Sequence, residues 1–203
     1  APEDRRRVAY HEVGHALVAA YSRYADPVRK ISVVPRGKAA LGYTLQLPAG
    51  DRYLISRAEL LDKIKGMMGG RAAEEIVFGE ITSGAENDLE HATALARQMV
   101  CAYGMSKAIG LVHRLLPGPP DGPWQRDCSE ETAREIDSEV RRILDVAYTD
   151  ARRILARHRA QLDCVTRALL ERETLDGDAF KELLAENPES PGGESARRGH
   201  GRE

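Results

Sequence analysis

Residues 5–21, RRRVAYHEVGHALVAAY, place an H-E-x-x-H motif in a segment that is largely apolar after its three arginines. At 3.6 residues per turn, His11 and His15 lie one above the other on one helical face, and Glu12 projects toward the same side. Because the other residues are apolar nearly all round, the segment is predicted to be a buried helix. A buried His-Glu-His cluster requires a metal ion or a hydrogen-bond network. The rest of the fold must therefore be built around this helix.

The motif is typical of zinc peptidases. Two neutral imidazoles can bind one zinc ion, which lowers the pKa of a coordinated water toward about 7. Glu12 can accept a proton from that water without binding the metal itself. The alternative is a chance match on an unrelated helix, because short motifs also occur by accident.

Two histidines do not complete a catalytic zinc site, which uses three protein ligands. The candidate carboxylates are Asp88, Glu74 and Glu75. Asp88 is predicted in the first turn of its helix, directly after a loop, where a short side chain can be aimed across a gap. Either glutamate can instead pair with Arg71, which lies three or four positions away on the same helix. Spacing alone leaves the third ligand open.

The remaining patterns predict a chain that is mainly helical. The first helix is expected to run to about Tyr24, because the residue before Pro27 avoids helical dihedrals. Two β-rich runs, VRKISVVP and ALGYTLQLP, flank an Arg-Gly turn and predict a hairpin. Helical spacing then indicates one helix over residues 56–78, in which Gly69-Gly70 is interpreted either as a kink or, as we favour, as a point of close approach of another backbone.

The second half is predicted to consist of helices. After the helix DLEHATALARQMVCAYG, expected to be capped by Ser83 or Asn87, residues 106–128 are rich in proline and glycine and indicate an irregular loop. A long helix follows from Ser129, with capping-box spacing at Thr132 and Glu135. Further helices are predicted over about 160–172 and from residue 174 onward.

The predicted fold class is thus mainly α: an H-E-x-x-H helix with a small β-hairpin or sheet, followed by a helical bundle. We predict one zinc metallopeptidase domain over residues 1–186, with a catalytic part at 1–128 and a helical part at 129–186. The tail, residues 187–203, lacks large apolar residues and is predicted to be disordered.

Composition excludes several other classes. A net charge of −2 and 5% aromatic residues argue against a nucleic-acid partner. The three cysteines are widely spaced and form no C-x-x-C, which favours a reducing compartment. No apolar run reaches the roughly 20 residues of a membrane span, so this fragment is expected to be soluble.

Several segments together resemble the peptidase domain of FtsH-type AAA metalloproteases. They are VAYHEVGHALVA, ISVVPRGKAALGYTLQLP, MMGGRAAEEIVFGEITSGAENDLEHATALARQMV, YGMS and SEETAREID, and the likeness covers roughly residues 4–186. Residues 110–128 depart most from the family pattern. The resemblance implies Zn²⁺ as the cofactor, with His11, His15 and Asp88 as metal ligands and Glu12 as the catalytic base.

The resemblance also implies ATP-dependent degradation of unfolded or misassembled membrane and soluble proteins. In such proteases the peptidase belongs to a homo-hexamer that is membrane-associated in its full-length form, with the peptidase on the cytoplasmic, matrix or stromal side. An AAA ATPase module, which uses ATP, and membrane helices are then expected outside this chain, which contains no Walker A motif. Competing interpretations are a non-catalytic scaffold module and a helical interaction domain with a chance motif.

One further prediction concerns the polypeptide substrate. The strand at residues 41–47 is expected to be an edge strand that pairs with the substrate main chain. Main-chain pairing does not read side chains, which suits a protease that accepts many sequences.

Overall fold

The computed structural model describes residues 1–35, 41–50, 53–114 and 128–188. It confirms a mainly α fold with a small sheet. The helices are α1 Pro2–Ala20, α2 Arg57–Met67, α3 Gly69–Phe78, α4 Glu86–Cys101, α5 Glu130–Arg157, α6 Arg159–Arg172 and α7 Gly177–Glu186. The strands are β1 Val28–Ser32, β2 Tyr43–Gln46 and β3 Thr174–Asp176. None of the helices in these ranges is long and apolar enough to cross a bilayer.

Helix α1 is the central element of the core. It packs against α2, α3, α5 and α6 and against the first two strands. Val13, Ala16, Leu17 and Val18 on this helix are completely buried, as the apolar pattern predicts. The helix ends at Ala20 and not at about Tyr24, because the Ser22 hydroxyl donates to the Val18 carbonyl at 2.7 Å and satisfies an end group.

The predicted helix over residues 56–78 is two helices, and α2 gives way to α3 at Met68. The break lies where α1 and α3 touch backbone to backbone. A Cβ added to Gly14 would lie 2.4 Å from the Gly69 carbonyl oxygen, and one added to Gly69 would lie 2.5 Å from the Gly14 oxygen. The predicted close approach is therefore confirmed, and it brings α3 directly beside the histidines.

The hairpin prediction is confirmed for its two strands, whereas its Arg36-Gly37 turn lies outside the described residues. Strands β1 and β2 pair antiparallel, with Ile31 opposite Thr44. The sheet has a third strand that the sequence did not predict, since β3 pairs antiparallel with the other side of β1. The prediction that places residues 174–176 in the last helix is therefore wrong. Three residues are too few to show a strand period, and Asp176 instead caps α7 by accepting from the Ala179 amide at 2.8 Å.

Two predicted helix caps were wrong. Residues 83–85 form a single 3-10 turn that is capped by Thr82, and α4 then begins at Glu86 without a side-chain cap. The long helix α5 is capped by Ser129, which accepts from the Thr132 amide at 3.2 Å. An apolar stripe of α5 that includes Ile136, Val140 and Ile143 enters the core. Most of the loop at 106–128 and the tail beyond residue 188 lie outside the described residues.

Candidate metal centre

Helix α1 and the start of α4 bring three candidate ligands together. The Oδ2 oxygen of Asp88 lies 3.1 Å from the Nε2 atom of His11 and 3.2 Å from the Nε2 atom of His15. All three candidate ligand atoms lie within 4.8 Å of one another. Bonds of about 2.0–2.2 Å in a tetrahedral zinc site separate neighbouring ligand atoms by about 3.3–3.6 Å. The spacing of these side chains therefore fits a zinc ion.

The opposite ring nitrogens are held by acceptors. The Nδ1 atom of His15 lies 2.8 Å from the carbonyl oxygen of Gly66, which can only accept. The Nδ1 atom of His11 lies 2.7 Å from Oε1 of Glu74, and the other oxygen of Glu74 already accepts from Thr82. Both histidines therefore carry hydrogen on Nδ1 and direct the Nε2 position toward Asp88. This is the tautomer that metal-binding histidines need.

The Nε2 lone pairs of His11 and His15 and the Asp88 carboxylate oxygen repel one another at this spacing, so they need a positive charge, a proton or a metal ion, between them. Burial disfavours the protonated form of His11, but the hydrogen bonds with Asp88 and Glu74 outweigh burial and raise the pKa of His11 to about 9. Burial also raises the pKa of the Asp88 carboxyl, yet its bonds with the two histidines outweigh this and hold the pKa well below its usual range. A divalent cation satisfies the same demand.

Glu12 lies beside this cluster and faces the sheet. Its side chain is buried, and its Oε2 oxygen accepts from the Thr44 hydroxyl of β2 at 2.9 Å. Glu12 is adjacent in sequence to His11 but is not among the three clustered ligand groups. Glu12 is close enough to His11 for its charge to help raise the pKa of that histidine, while Asp88 completes the cluster.

A family comparison agrees with this geometry. The model of peptidase family M41 matches residues 1–183, which is most of the chain. The chain belongs to peptidase family M41.

Curated relatives of this M41 chain carry one common description. A protein of Methylacidiphilum infernorum named ATP-dependent zinc metalloprotease FtsH 1 is 58% identical over 186 residues, covering 90% of this chain and 29% of the relative. The ATP-dependent zinc metalloproteases FtsH of Pseudothermotoga lettingae and Thermotoga maritima are 50% and 47% identical, covering 91% and 92% of this chain and 30% and 31% of those proteins. The chain therefore spans about a third of the length of these relatives. The predicted resemblance is confirmed, and these names agree with the predicted zinc cofactor.

The two glutamates that rivalled Asp88 occupy different positions in this M41 fold. Glu74 is 2% exposed, and its carboxylate contacts Nδ1 of His11, the ring nitrogen that faces away from Asp88. Glu75 accepts from the Tyr148 hydroxyl and lies 3.4 Å from the Arg152 guanidinium. The sequence suggested that either glutamate could pair with Arg71, whereas the structure gives both of them other partners.

Three contacts in the M41 site were not found from the sequence. They are the Glu74 carboxylate on His11, the Gly66 carbonyl on His15, and the Thr44 hydroxyl on Glu12. A backbone carbonyl has no sequence signal, and Glu74 differs from Glu75 only in the side of the helix from which it projects. His91 is exposed and Cys101 is buried in the core, and neither belongs to the cluster of ligand groups.

Proposed function

We propose that this chain is a zinc-dependent endopeptidase domain in which His11, His15 and Asp88 bind the metal and Glu12 is the general base. One observation carries the proposal. The Asp88 oxygen faces the Nε2 atoms of both histidines at 3.1 and 3.2 Å, while acceptors hold both Nδ1 atoms. A chance motif on an unrelated helix is not expected to have acceptors at both Nδ1 atoms in addition to a carboxylate at both Nε2 atoms. Three protein ligands also leave a fourth position open, as a catalytic zinc site requires.

Each side chain then has a distinct role in peptide hydrolysis. Zinc bound there supplies Lewis acidity, which makes a water molecule a nucleophile at neutral pH. Glu12 accepts a proton from the attacking water and delivers a proton to the leaving amine. Glu74 and the Gly66 carbonyl keep the two imidazoles in the required orientation. Burial of Glu12 and His11 limits the number of competing water molecules at the site.

The test is the substitution Glu12→Gln. Zinc content should stay at the wild-type level, because Glu12 is not a ligand, while cleavage of an unfolded polypeptide such as casein should fall about 10²–10⁴-fold. Glu75→Gln is the matched control, since it makes the same chemical change on a glutamate outside the site. Wild-type proteolysis by zinc-loaded Glu12→Gln would refute the assignment of the base. Zinc binding without proteolysis in the parent chain would instead favour a non-catalytic scaffold.

We further propose that polypeptide substrates pair with the outer edge of β2, within the strand predicted at residues 41–47. This is supported by the order β2-β1-β3, in which β2 is an outer strand, and by the bond that joins Thr44 of β2 to Glu12. A structure with a peptidic inhibitor should show main-chain hydrogen bonds to this edge. An inhibitor bound elsewhere, with the edge left unpaired, would contradict the proposal.

We propose finally that the domain works in a homo-hexamer with an AAA ATPase module and membrane helices, on the cytoplasmic, matrix or stromal side of a membrane. The support is the family resemblance and the relatives named as ATP-dependent, which are about three times as long as this chain. The isolated chain should therefore cleave unfolded casein but spare a stably folded protein. Cleavage of both at the same rate would contradict a need for the ATPase. A solution mass that remains that of a monomer at high concentration would show that this chain alone does not form the hexamer.

A further inference from the structure

The segment that contains β2 approaches Glu12 at two residues, Gly42 and Thr44. The Thr44 hydroxyl oxygen lies 2.9 Å from the Oε2 atom of Glu12 and 2.9 Å from the backbone oxygen of the same residue. A threonine hydroxyl has one hydrogen and two lone pairs. It therefore donates to one of these oxygens at a time, and both acceptors belong to the residue assigned as the base.

Gly42, which directly precedes β2, lies beside the Glu12 side chain. A Cβ added at this position would lie 3.1 Å from Cγ of Glu12 and 2.8 Å from Cγ1 of Val8. Gly42 and Thr44 both lie against α1: the absence of a side chain at Gly42 lets this segment approach the Glu12 stem, and the Thr44 hydroxyl reaches the Glu12 carboxylate.

We propose that Thr44 is the positioning residue for the general base. This inference rests on the proposed function, since it assigns to β2 the task of holding the Glu12 carboxylate beside the water. A glutamate has three side-chain torsions, and a carboxylate bound on one side by a hydroxyl and enclosed along its stem by a strand loses most of that freedom. Reacting groups must be held near their productive geometry, because displacement of about 1 Å can cost about 10²-fold in rate.

A hydroxyl suits this position better than a donor whose hydrogen cannot rotate, such as a backbone N–H. While Glu12 is ionised, Thr44 can donate to its carboxylate oxygen. After Glu12 has taken a proton from water, the Thr44 hydroxyl can turn its hydrogen to the Glu12 backbone oxygen and accept from the carboxyl group. Both acceptors are within 2.9 Å, so the side chain keeps a partner in both states without moving the strand.

The placement also connects substrate binding with the base. Thr44 is in the middle of β2 and is paired through the backbone with Ile31 of β1. If the substrate pairs with the outer side of β2, one strand holds both the peptide and the Glu12 carboxylate. The distance between the scissile bond and the base is then set by a single rigid element.

The test compares Thr44→Val with Thr44→Ser in the zinc-loaded chain. Valine keeps the shape but removes the hydroxyl, so kcat on a fluorogenic peptide should fall about 10- to 100-fold, with KM and zinc content unchanged. Serine keeps the hydroxyl and should retain most of kcat. The matched control is Thr174→Val in β3, which removes the 3.0 Å contact with the Ser32 hydroxyl in the same sheet and should leave kcat unchanged.

Several results would overturn the proposal: full kcat in Thr44→Val, an equal loss in Thr44→Ser, or a rise in KM alone. A crystal structure separates this inference from the proposed function, because it needs no activity. In Thr44→Val the Glu12 carboxylate should leave its wild-type position. An unmoved Glu12 refutes the positioning role even if the chain is an active peptidase, whereas an inactive parent chain with a displaced Glu12 refutes the proposed function alone.

Discussion

The substitution Glu74→Gln probes how the site holds the tautomer of His11. Glu74 is 2% exposed, and the described hydrogen-bond partners of its carboxylate, His11 and Thr82, can both donate to it. Oε1 lies 2.7 Å from Nδ1 of His11, and Oε2 accepts from the Thr82 amide at 3.1 Å and from the Thr82 hydroxyl at 2.7 Å. The substitution leaves the shape nearly unchanged but replaces one acceptor oxygen with an NH₂ donor.

Neither orientation of the new amide satisfies its surroundings. If the NH₂ group faces Thr82, it meets the Thr82 backbone N–H, and the lost hydrogen bond costs about 0.5–1.5 kcal/mol. If it faces His11, the Nδ1 atom must become an acceptor, and the proton moves to Nε2, where the metal needs a lone pair. Loss of such a partner behind a metal-binding histidine typically lowers metal affinity about 10–100-fold, which is about 1.4–2.8 kcal/mol.

Zinc affinity is best measured by competition with a chromogenic chelator, with Glu75→Gln as the control. The control should bind zinc like the wild type, because Glu75 contacts Tyr148 and Arg152 and not the histidines. Asp88→Asn should lose more affinity than Glu74→Gln. Unchanged affinity in Glu74→Gln would refute the tautomer reasoning. Complete zinc loss in that variant, with full retention in Asp88→Asn, would show that Glu74 is the third ligand.

Two further predictions concern stability. Gly14→Ala should lower the free energy of unfolding by about 1–3 kcal/mol or more, because its Cβ would overlap the backbone of α3. Gly66→Ala has free space for its Cβ and should raise the free energy of unfolding by up to about 1 kcal/mol. Urea denaturation that ranks the two variants the other way would contradict the packing argument. Burial and the hydrogen bond to Glu75 raise the pKa of Tyr148 to about 12 from 10.0, so this contact stabilises the fold fully below pH 10 and is lost as pH rises toward about 12. Tyr148→Phe should therefore be less stable than the wild type near neutral pH, and this difference should shrink over that interval; a difference independent of pH would refute the assignment.

The sequence predicted most of the helices because their signals are local. The apolar stripe of α5 and the buried surface of α1 follow from a period of 3.6 residues, and the structure confirms both. The errors fall where a local signal was weak or ambiguous. The strand β3 is three residues long, and its assignment depends on pairing with β1, about 145 positions earlier in the chain.

In the metal site too, some residues follow from local sequence and others depend on the fold. His11 and His15 share one face of one helix, and Glu12 directly follows His11, so their proximity follows from helix geometry alone. Asp88 lies 77 positions after His11, and residue spacing did not separate it from Glu74 or Glu75. The resemblance to a family favoured Asp88, and the fold accounts for its position physically. The contact between Gly14 and Gly69 brings α3 so close to α1 that Glu74 reaches Nδ1 of His11. Helix α4 places Asp88 at the opposite ring nitrogen, Nε2.

The sequence by itself therefore determined the helical framework, the buried motif helix and the type of chemistry, because these depend on which residues follow one another within a few turns. Only the tertiary structure decided which carboxylate faces which nitrogen, and which strand holds Glu12. The Gly66 carbonyl and the Thr44 hydroxyl belong to segments that meet α1 only in the folded chain. Such contacts depend on packing between distant segments, which no local pattern of residues encodes.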